Sequence, residues 1–472
     1  MNPESFSDVH DRRRASGASP DALLGDWFVR AGAGSGKTHA LVSRVVALVD
    51  SGTGIDRIVA ITFTEAAAAE LRERIRRALG DVSREASPET LERRRRALRA
   101  LDSASIGTIH AFALKLLEGF ALTAGLAPHI RIPDEAVGGL AFEAALRRFL
   151  DDLATRDGVV ELMNVARARN LKIGRFVALA AMVVERLYAL GSQDFGRTVG
   201  ASEELAARAP APQLSISEQA WAELDSAIAD LEDLVPAGTV RFNEGMVTLR
   251  AWRAAVERHR SDLGSLWPTL DQKLGNFGTA ALVKPAVRRL VAARDRMVGE
   301  LGEAITDAWR NWAIEFAVTD SRRRAATGAL LFQDLLGLCR DLLRSNDVVD
   351  LVRAKYDVVL IDEFQDTDPL QWEIARSLAG SGVAGAGASL FLVGDGQQSI
   401  YRFRGASVEA FAGVETHFDP ARRLTLTQNF RSAPTIVDWV NRMAGAAWAE
   451  VSGASVVPFS PMVAARTADP PT

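Results

Sequence analysis

The pattern of apolar and polar positions changes period twice along the chain. Between Gly25 and about Phe120, short apolar runs alternate with longer stretches of helical spacing. DWFVR and RIVAITF read as strands, whereas THALVSRVVALVD, with Leu41, Val42, Val45, Val46 and Val49 along it, and EAAAAELRERIRRAL read as helices. Such alternation predicts βαβ units and a parallel sheet. From about 121 to 330 the strand signal disappears. LAFEAALRRFLDDLATR and ISEQAWAELDSAIADLEDLV carry helical periodicity, with loop-like pieces at 208–215 and 271–285. FVALAAMVV at 176–184 runs straight into Glu185 and Arg186, so it reads as a buried helix, too short to span a membrane. Trp221, Trp252, Trp309 and Trp312 fall in this region and read as core. The β/α texture then returns in YDVVLIDEF, SLFLVGD and RRLTLTQNF. The expectation is one α/β core interrupted by a helical insertion of roughly 200 residues. The closing TADPPT is expected to fray.

Composition changes this picture little. A chain of 472 residues with 48% hydrophobic and 25% charged residues is an ordinary globular protein of two or three domains. Its one cysteine, Cys339, excludes a disulfide framework or a cysteine-based metal site and suits a reducing, cytoplasmic setting. The polar start, MNPESFSDVHDRRRASG, lacks the apolar core of a signal peptide. With a net charge of −4, any nucleic-acid binding needs a local basic groove rather than a global field. The run ERRRRALRA at 92–100 reads first as a solvated helix face.

The candidate chemistry starts at Ala31-Gly32-Ala33-Gly34-Ser35-Gly36-Lys37-Thr38. A strict phosphate-binding loop begins with glycine, and this one begins with alanine. Its context, a strand before and an amphipathic helix after, is the one such a loop requires, because backbone N–H groups and the helix N-terminus hold the phosphates. Lys37 would reach the β/γ-phosphates and Thr38 would supply a magnesium ligand. The alanine is tolerable if its φ stays negative. The strand in YDVVLIDEFQD ends in Asp362 and Glu363. The first carboxylate suits the magnesium shell and the second can orient and deprotonate water. Together they predict a nucleoside triphosphate site that uses Mg2+.

In order along the chain, AGAGSGKT, VAITFTEAAAAELRERI at 59–75, IGTIHAFALKLL at 106–117, VLIDEFQDTDPLQ at 359–371, LVGDGQQSIYRFRGA at 392–406 and LTQNFRS at 426–432 closely resemble the motifs of superfamily 1 DNA helicases of the UvrD/Rep type, within them the AddA/RecB-like branch. The resemblance implies a RecA-like core with residues 1–120 and 329–424 as its two parts, 121–328 as an all-helical insertion and 425–472 as the start of a second RecA-like domain. It implies that Gln398 senses the γ-phosphate and couples it to DNA, that Arg431 contacts that phosphate and that Phe430 stacks on adenine. Tyr401 and Phe403 would stack on single-stranded bases with Arg404 as local cation, and Thr62, Phe63, Thr64, Thr108 and His110 would touch the DNA strand. Partly buried packing is the competing reading for Tyr401 and Phe403, and capping or packing its helix the equal one for His110.

Three departures stand out. Ala66 replaces the usual lysine, Gly396-Gln397 replaces the common Pro-Lys, and no clear adenine-reading glutamine stands near DVHDRRRAS at 8–16. The resemblance implies 3′-to-5′ movement on single-stranded DNA or DNA junctions, in repair or recombination. It also implies a second RecA-like domain that completes the site, and the expected protein partner is a chain supplying that domain or a nuclease subunit. The rival expectation is an ATP- and DNA-binding remnant without unwinding activity of its own. No membrane association is expected.

Overall fold

The computed structural model describes residues 11, 13–17, 23, 25–81, 87–187, 215–234, 240–277, 283–379, 387–400, 408–450, 457 and 459–466. Tyr401, Phe403, Arg404, the 467–472 tail and all but the last residue of the 208–215 stretch lie outside them. The chain divides into two compact units, residues 1–131 with 330–472, and residues 132–329.

The first unit opens with β1 (Trp27–Ala31), α1 (Lys37–Ser51), β2 (Ile58–Thr62), α2 (Glu65–Gly80), α3 (Pro88–Ala100), β3 (Ser105–Thr108) and α4 (Ile109–Gly119). The last three of these helices start on side-chain caps, with the hydroxyls of Thr64, Ser87 and Thr108 accepting the N–H of Ala67, Thr90 and Ala111. The arginine run on α3 is partly a clamp. Arg93 donates to the Asp50 carbonyl and Arg94 pairs with the Asp50 carboxylate at 2.6 Å, while Arg95 and Arg96 face solvent.

The described residues of the second unit form helices, α5 (Glu135–Leu153), α6 (Val159–Ala168), α7 (Ile173–Arg186), α8 (Glu218–Glu232), α9 (Val240–Arg258), α10 (Leu263–Leu270) and the 45-residue α11 (Val283–Thr327). Trp221, Trp252, Trp309 and Trp312 are buried there, and Trp252 Nε1 donates to the Thr269 carbonyl at 2.7 Å. On α7, Phe176, Ala180, Val183 and Val184 are buried while Met182 is exposed, so this apolar run is an amphipathic helix. The 271–285 stretch ends inside α11, which begins at Val283.

The first unit resumes with α12 (Phe332–Leu343), α13 (Asn346–Lys355), β4 (Val358–Ile361), α14 (Pro369–Leu378), β5 (Ser389–Gly394), α15 (Val408–Glu415), β6 (Arg423–Leu426), β7 (Gln428–Asn429), α16 (Pro434–Glu450) and β8 (Val463–Ala464). Six strands form one sheet in the order β3-β2-β4-β5-β1-β6, every pair parallel. β7 and β8 make a separate parallel pair. Trp27, Val29, Ala31, Ile58, Ala60, Val358, Leu360, Phe391 and Val393 join α1, α2 and α3 in one core. Alternate strand residues face the other way. There Phe28 meets Phe364, Phe411 and Phe418 at centroid distances of 5.2–6.2 Å. A sheet covered on both faces explains why its strands read as continuous apolar runs. The α/β class with a parallel sheet, consistent with a RecA-like helicase core, is thus present. Among the described residues no helix is long and apolar enough to cross a membrane.

Candidate nucleotide site

Ala31 is the last residue of β1, paired with Leu426 of β6, and its methyl is buried. The position that a strict loop gives to glycine is strand here, which is why a side chain fits. Beyond it, the Gly32 N–H donates to the Leu426 carbonyl at 3.3 Å and the Ser35 N–H to the Gly32 carbonyl at 3.1 Å. Gly34 at φ +70° and Gly36 at φ +87° then turn the chain through the left-handed region. Gly36 caps α1 without a side-chain oxygen. The first-turn N–H groups of α1 therefore meet the loop with no side-chain cap, the arrangement that receives a phosphate.

β4 ends opposite this loop. The Asp362 N–H continues the sheet to the Ile61 carbonyl, and the Glu363 N–H turns back onto Asp362 Oδ1, each at 2.9 Å. Glu363 sits at φ +50°, a left-handed conformation that only Asn170 shares among the described non-glycine residues. Such a conformation costs about 1–3 kcal/mol and concentrates at functional positions. Here Lys37 Nζ donates to Glu363 Oε2 at 2.8 Å.

The electrostatics suit a divalent cation. Burial, and then the charge of Glu363, push the Asp362 carboxyl up to about 6. The same two causes raise Asp366 to about 6, and its buried Oδ1 has no hydrogen-bond partner among the described residues. Burial also pushes Glu363 up, but Lys37 and the hydrogen bond from Gln365 outweigh it and hold that carboxyl below the usual range. Three carboxylates thus crowd around one lysine. Among the described residues no group of His, Cys, Asp and Glu could hold a metal alone. The buried Asp362 carboxylate among these charges fits a magnesium ion that takes most of its ligands from substrate phosphates and water.

A sequence model of the UvrD/REP helicase N-terminal domain matches residues 14–419. The chain belongs to that family. It is 27% identical over 484 residues to an ATP-dependent helicase/nuclease subunit from Latilactobacillus sakei, covering 88% of this chain and 53% of that protein. Proteins of the same name from Bacillus pumilus and Desulforudis audaxviator are 26% and 28% identical, each over 88% of this chain and 38% of their own length. The chain therefore spans about half the length of these relatives, or less.

In this UvrD/REP-type core, the NFRS turn lies across the phosphate loop. The Phe430 N–H donates to the Gly34 carbonyl at 2.9 Å, although the Phe430 and Arg431 side chains are exposed. A Cβ on Gly34 would stand 2.8 Å from Arg431 Cβ and 2.9 Å from Asn429 Oδ1, so only glycine permits this approach. Gln398 lies in the turn after β5, its Nε2 donating to Asp395 Oδ2 at 2.5 Å. The two helicase motifs at the other edge of the sheet come together through β2 and β3, where Thr62 pairs with Thr108. Their hydroxyls are engaged, Thr62 donating to the Thr64 carbonyl and Thr108 to Glu65 Oε1 at 2.7 Å, while Thr64 and Thr108 cap α2 and α4. Phe63 is half-buried. His110 lies in the first turn of α4, edge-on to Phe332, and burial lowers its pKa.

Sequence reasoning missed Asn429. It is buried at 3% exposure, its Nδ2 donates to the Ala33 carbonyl, and its Oδ1 accepts from the Arg431 and Ser432 N–H groups, all at 2.8 Å. An Asn accepting from the residue two ahead is a local turn signal that the sequence does carry; its grip on the loop is not local. Asn429→Ala strands two N–H groups and frees the loop. We expect a lower thermal midpoint and a KM for ATP raised about tenfold, the effect of about 1.4 kcal/mol. An unchanged KM would show that the NFRS turn does not register the loop.

Proposed function

We propose that this chain is the ATP-hydrolysing motor core of a DNA helicase that moves 3′ to 5′ along single-stranded DNA in repair or recombination. The observation that carries the reading is the meeting of Lys37 and Glu363 at 2.8 Å beneath a loop that the Asn429–Arg431 turn closes. Lys37 leaves Glu363 to hold the β/γ-phosphates, and Glu363, released, takes a proton from the attacking water. Thr38 and Asp362 would hold Mg2+, which when bound neutralises charge on the phosphates. Residues 31–36 cradle the triphosphate, Phe430 offers its exposed ring to the base, and Gln398 and Arg431 report the γ-phosphate. Thr62, Phe63, Thr64, Thr108 and His110 belong to a strand-binding edge through their backbone and ring surfaces, and Tyr401, Phe403 and Arg404 complete it. A cytoplasmic setting goes with this work on DNA.

We read the helical insertion, expected over 121–328, as the compact unit of residues 132–329, and the segment from 425 as the opening of a second RecA-like domain. Ile436, Trp439, Val440 and Met443 support this, since all are 42–58% exposed and share one stripe of α16. A stripe of that kind suits cover from further polypeptide, whether of the same chain or of a partner. The relatives are named as one subunit of an ATP-dependent helicase/nuclease, and a partner subunit of such an assembly is the polypeptide we propose for this chain.

The test is ATP hydrolysis by the purified chain with and without oligo(dT). DNA-stimulated turnover is the expected result. Tight nucleotide binding without turnover would instead favour the second reading, a site that another polypeptide completes. A chain that binds no nucleotide would sink both.

A further inference from the structure

Gln365 follows the strained turn at Glu363 and has no part in the chemistry proposed for the site. It is 3% exposed, in the short 3-10 turn Phe364–Asp366. Its Nε2 donates to Glu363 Oε2 at 2.7 Å, the same oxygen that accepts from Lys37. Its Oε1 accepts the Asp395 N–H at 2.8 Å, at the exit of β5. The Asp395 carboxylate then takes the Gln397 N–H on one oxygen and Gln398 Nε2 on the other. Ser399 Oγ closes back onto the Gln365 carbonyl at 3.2 Å. A Cβ on Gly394 would stand 2.7 Å from Gln365 Oε1, so the glycine at the end of β5 makes room for this amide.

From this geometry we infer that Gln365 is a positioning residue that couples the segment 395–399 to the catalytic carboxylate. Its amide is bound at both ends, so neither end can move alone. By occupying Glu363 Oε2 it leaves Oε1 as the oxygen able to accept a proton from water. When Lys37 departs toward phosphate, Gln365 is the donor that still orients Glu363. Displacement of Gln398 is transmitted through Asp395 to the amide and from there to the base. Tyr401, Phe403 and Arg404, which the proposed function gives to single-stranded DNA, follow this segment in the sequence, so on that reading strand occupancy reaches the hydrolysis step through this amide. The inference rests on the ATPase reading proposed above.

Gln365→Glu keeps the size and the acceptor for Asp395 but sets a carboxylate against Glu363. Gln365→Asn keeps the chemistry but cannot span both partners. Each is compared with wild type for kcat, KM and the affinity for Mg-ATP, with and without oligo(dT), after circular dichroism has shown an intact fold. The expected result is a fall in DNA-stimulated kcat of about 10²-fold, the effect of about an ångström of misplacement, with nucleotide affinity within about twofold of wild type. The stimulation factor should fall toward one. Variants that keep both kcat and stimulation within twofold overturn the inference, as do variants that lose affinity and kcat in equal measure. If wild type binds Mg-ATP without turnover, hydrogen exchange over 394–399 decides. Nucleotide-induced protection in wild type that Gln365→Asn abolishes supports the coupling, and equal protection in both overturns it. A wild-type chain that binds no nucleotide overturns the inference together with the reading beneath it.

Discussion

Glu363→Gln is expected to lower ATP turnover by about 10²–10⁴-fold, the range that a positioned general base contributes. Binding should respond in the opposite sense. In the free chain Glu363 Oε2 holds Lys37 Nζ at 2.8 Å, and the Lys37 side chain is only 11% exposed while that of Glu363 is 38%. Lys37 has to leave this pair to reach a phosphate. A neutral amide releases the ammonium more readily and removes one of three crowded negative charges. Since a pair exposed on one side is worth about 1 kcal/mol at most, the gain in Mg-ATP affinity should be no more than about fivefold. The measurement is single-turnover hydrolysis beside equilibrium binding of a fluorescent ATP analogue. Turnover within fivefold of wild type would remove Glu363 from the reaction, and a large loss of affinity would mean that the carboxylate holds the site together rather than activating water.

The parts of this site that could be read in the sequence are those set by local chemistry. The strands announced themselves as apolar runs because both sheet faces are covered, and the phosphate loop showed its glycines in the context of strand and helix. Asp362 and Glu363 stood at the end of such a run. What the sequence did not disclose depends on register between distant strands. The parallel pairing of Leu360 with Phe391 and of Ile361 with Leu392 carries Gln365 to Asp395. The pairing of Ala31 with Leu426 carries Asn429 to the phosphate loop. Neither partner is encoded within either motif. The threonines teach a different lesson. Thr64 and Thr108 stand where hydroxyls next to DNA are expected by resemblance, yet each is a helix cap, as their place three residues before Ala67 and Ala111 allows. Any DNA contact there comes from groups the caps leave open. For Tyr401, Phe403 and Arg404 no such sorting applies, because they lie outside the described residues.

Asp362→Asn should move stability and activity in opposite directions. In the free chain the Asp362 carboxyl stands near 6, raised first by burial and then by Glu363. An unfolded aspartate titrates near 4. The folded state therefore binds a proton that the unfolded state has already lost between about pH 4 and 6, and stability falls as pH rises through that window. Above it the whole penalty is present, on the order of 1–2 kcal/mol once partial exposure is allowed for. Asparagine carries no charge to desolvate, so the variant's thermal midpoint at pH 7.5 without Mg2+ should exceed that of wild type, and the two should converge toward pH 4. Turnover should collapse, because Asp362 would supply the one charged protein ligand of the cation, and loss of several kcal/mol of charge stabilisation corresponds to about 10³-fold in rate. Added Mg2+ should raise the midpoint of wild type in the presence of ATP and leave the variant unmoved. A variant less stable than wild type at pH 7.5 would mean that the carboxylate is satisfied within the fold, and the case for a cation at this position would lose its electrostatic ground. A buried carboxylate that the nearby Lys37 does not fully offset gives nucleotide and metal a state to favour, since only a ligand that binds one state better than the other can shift the balance.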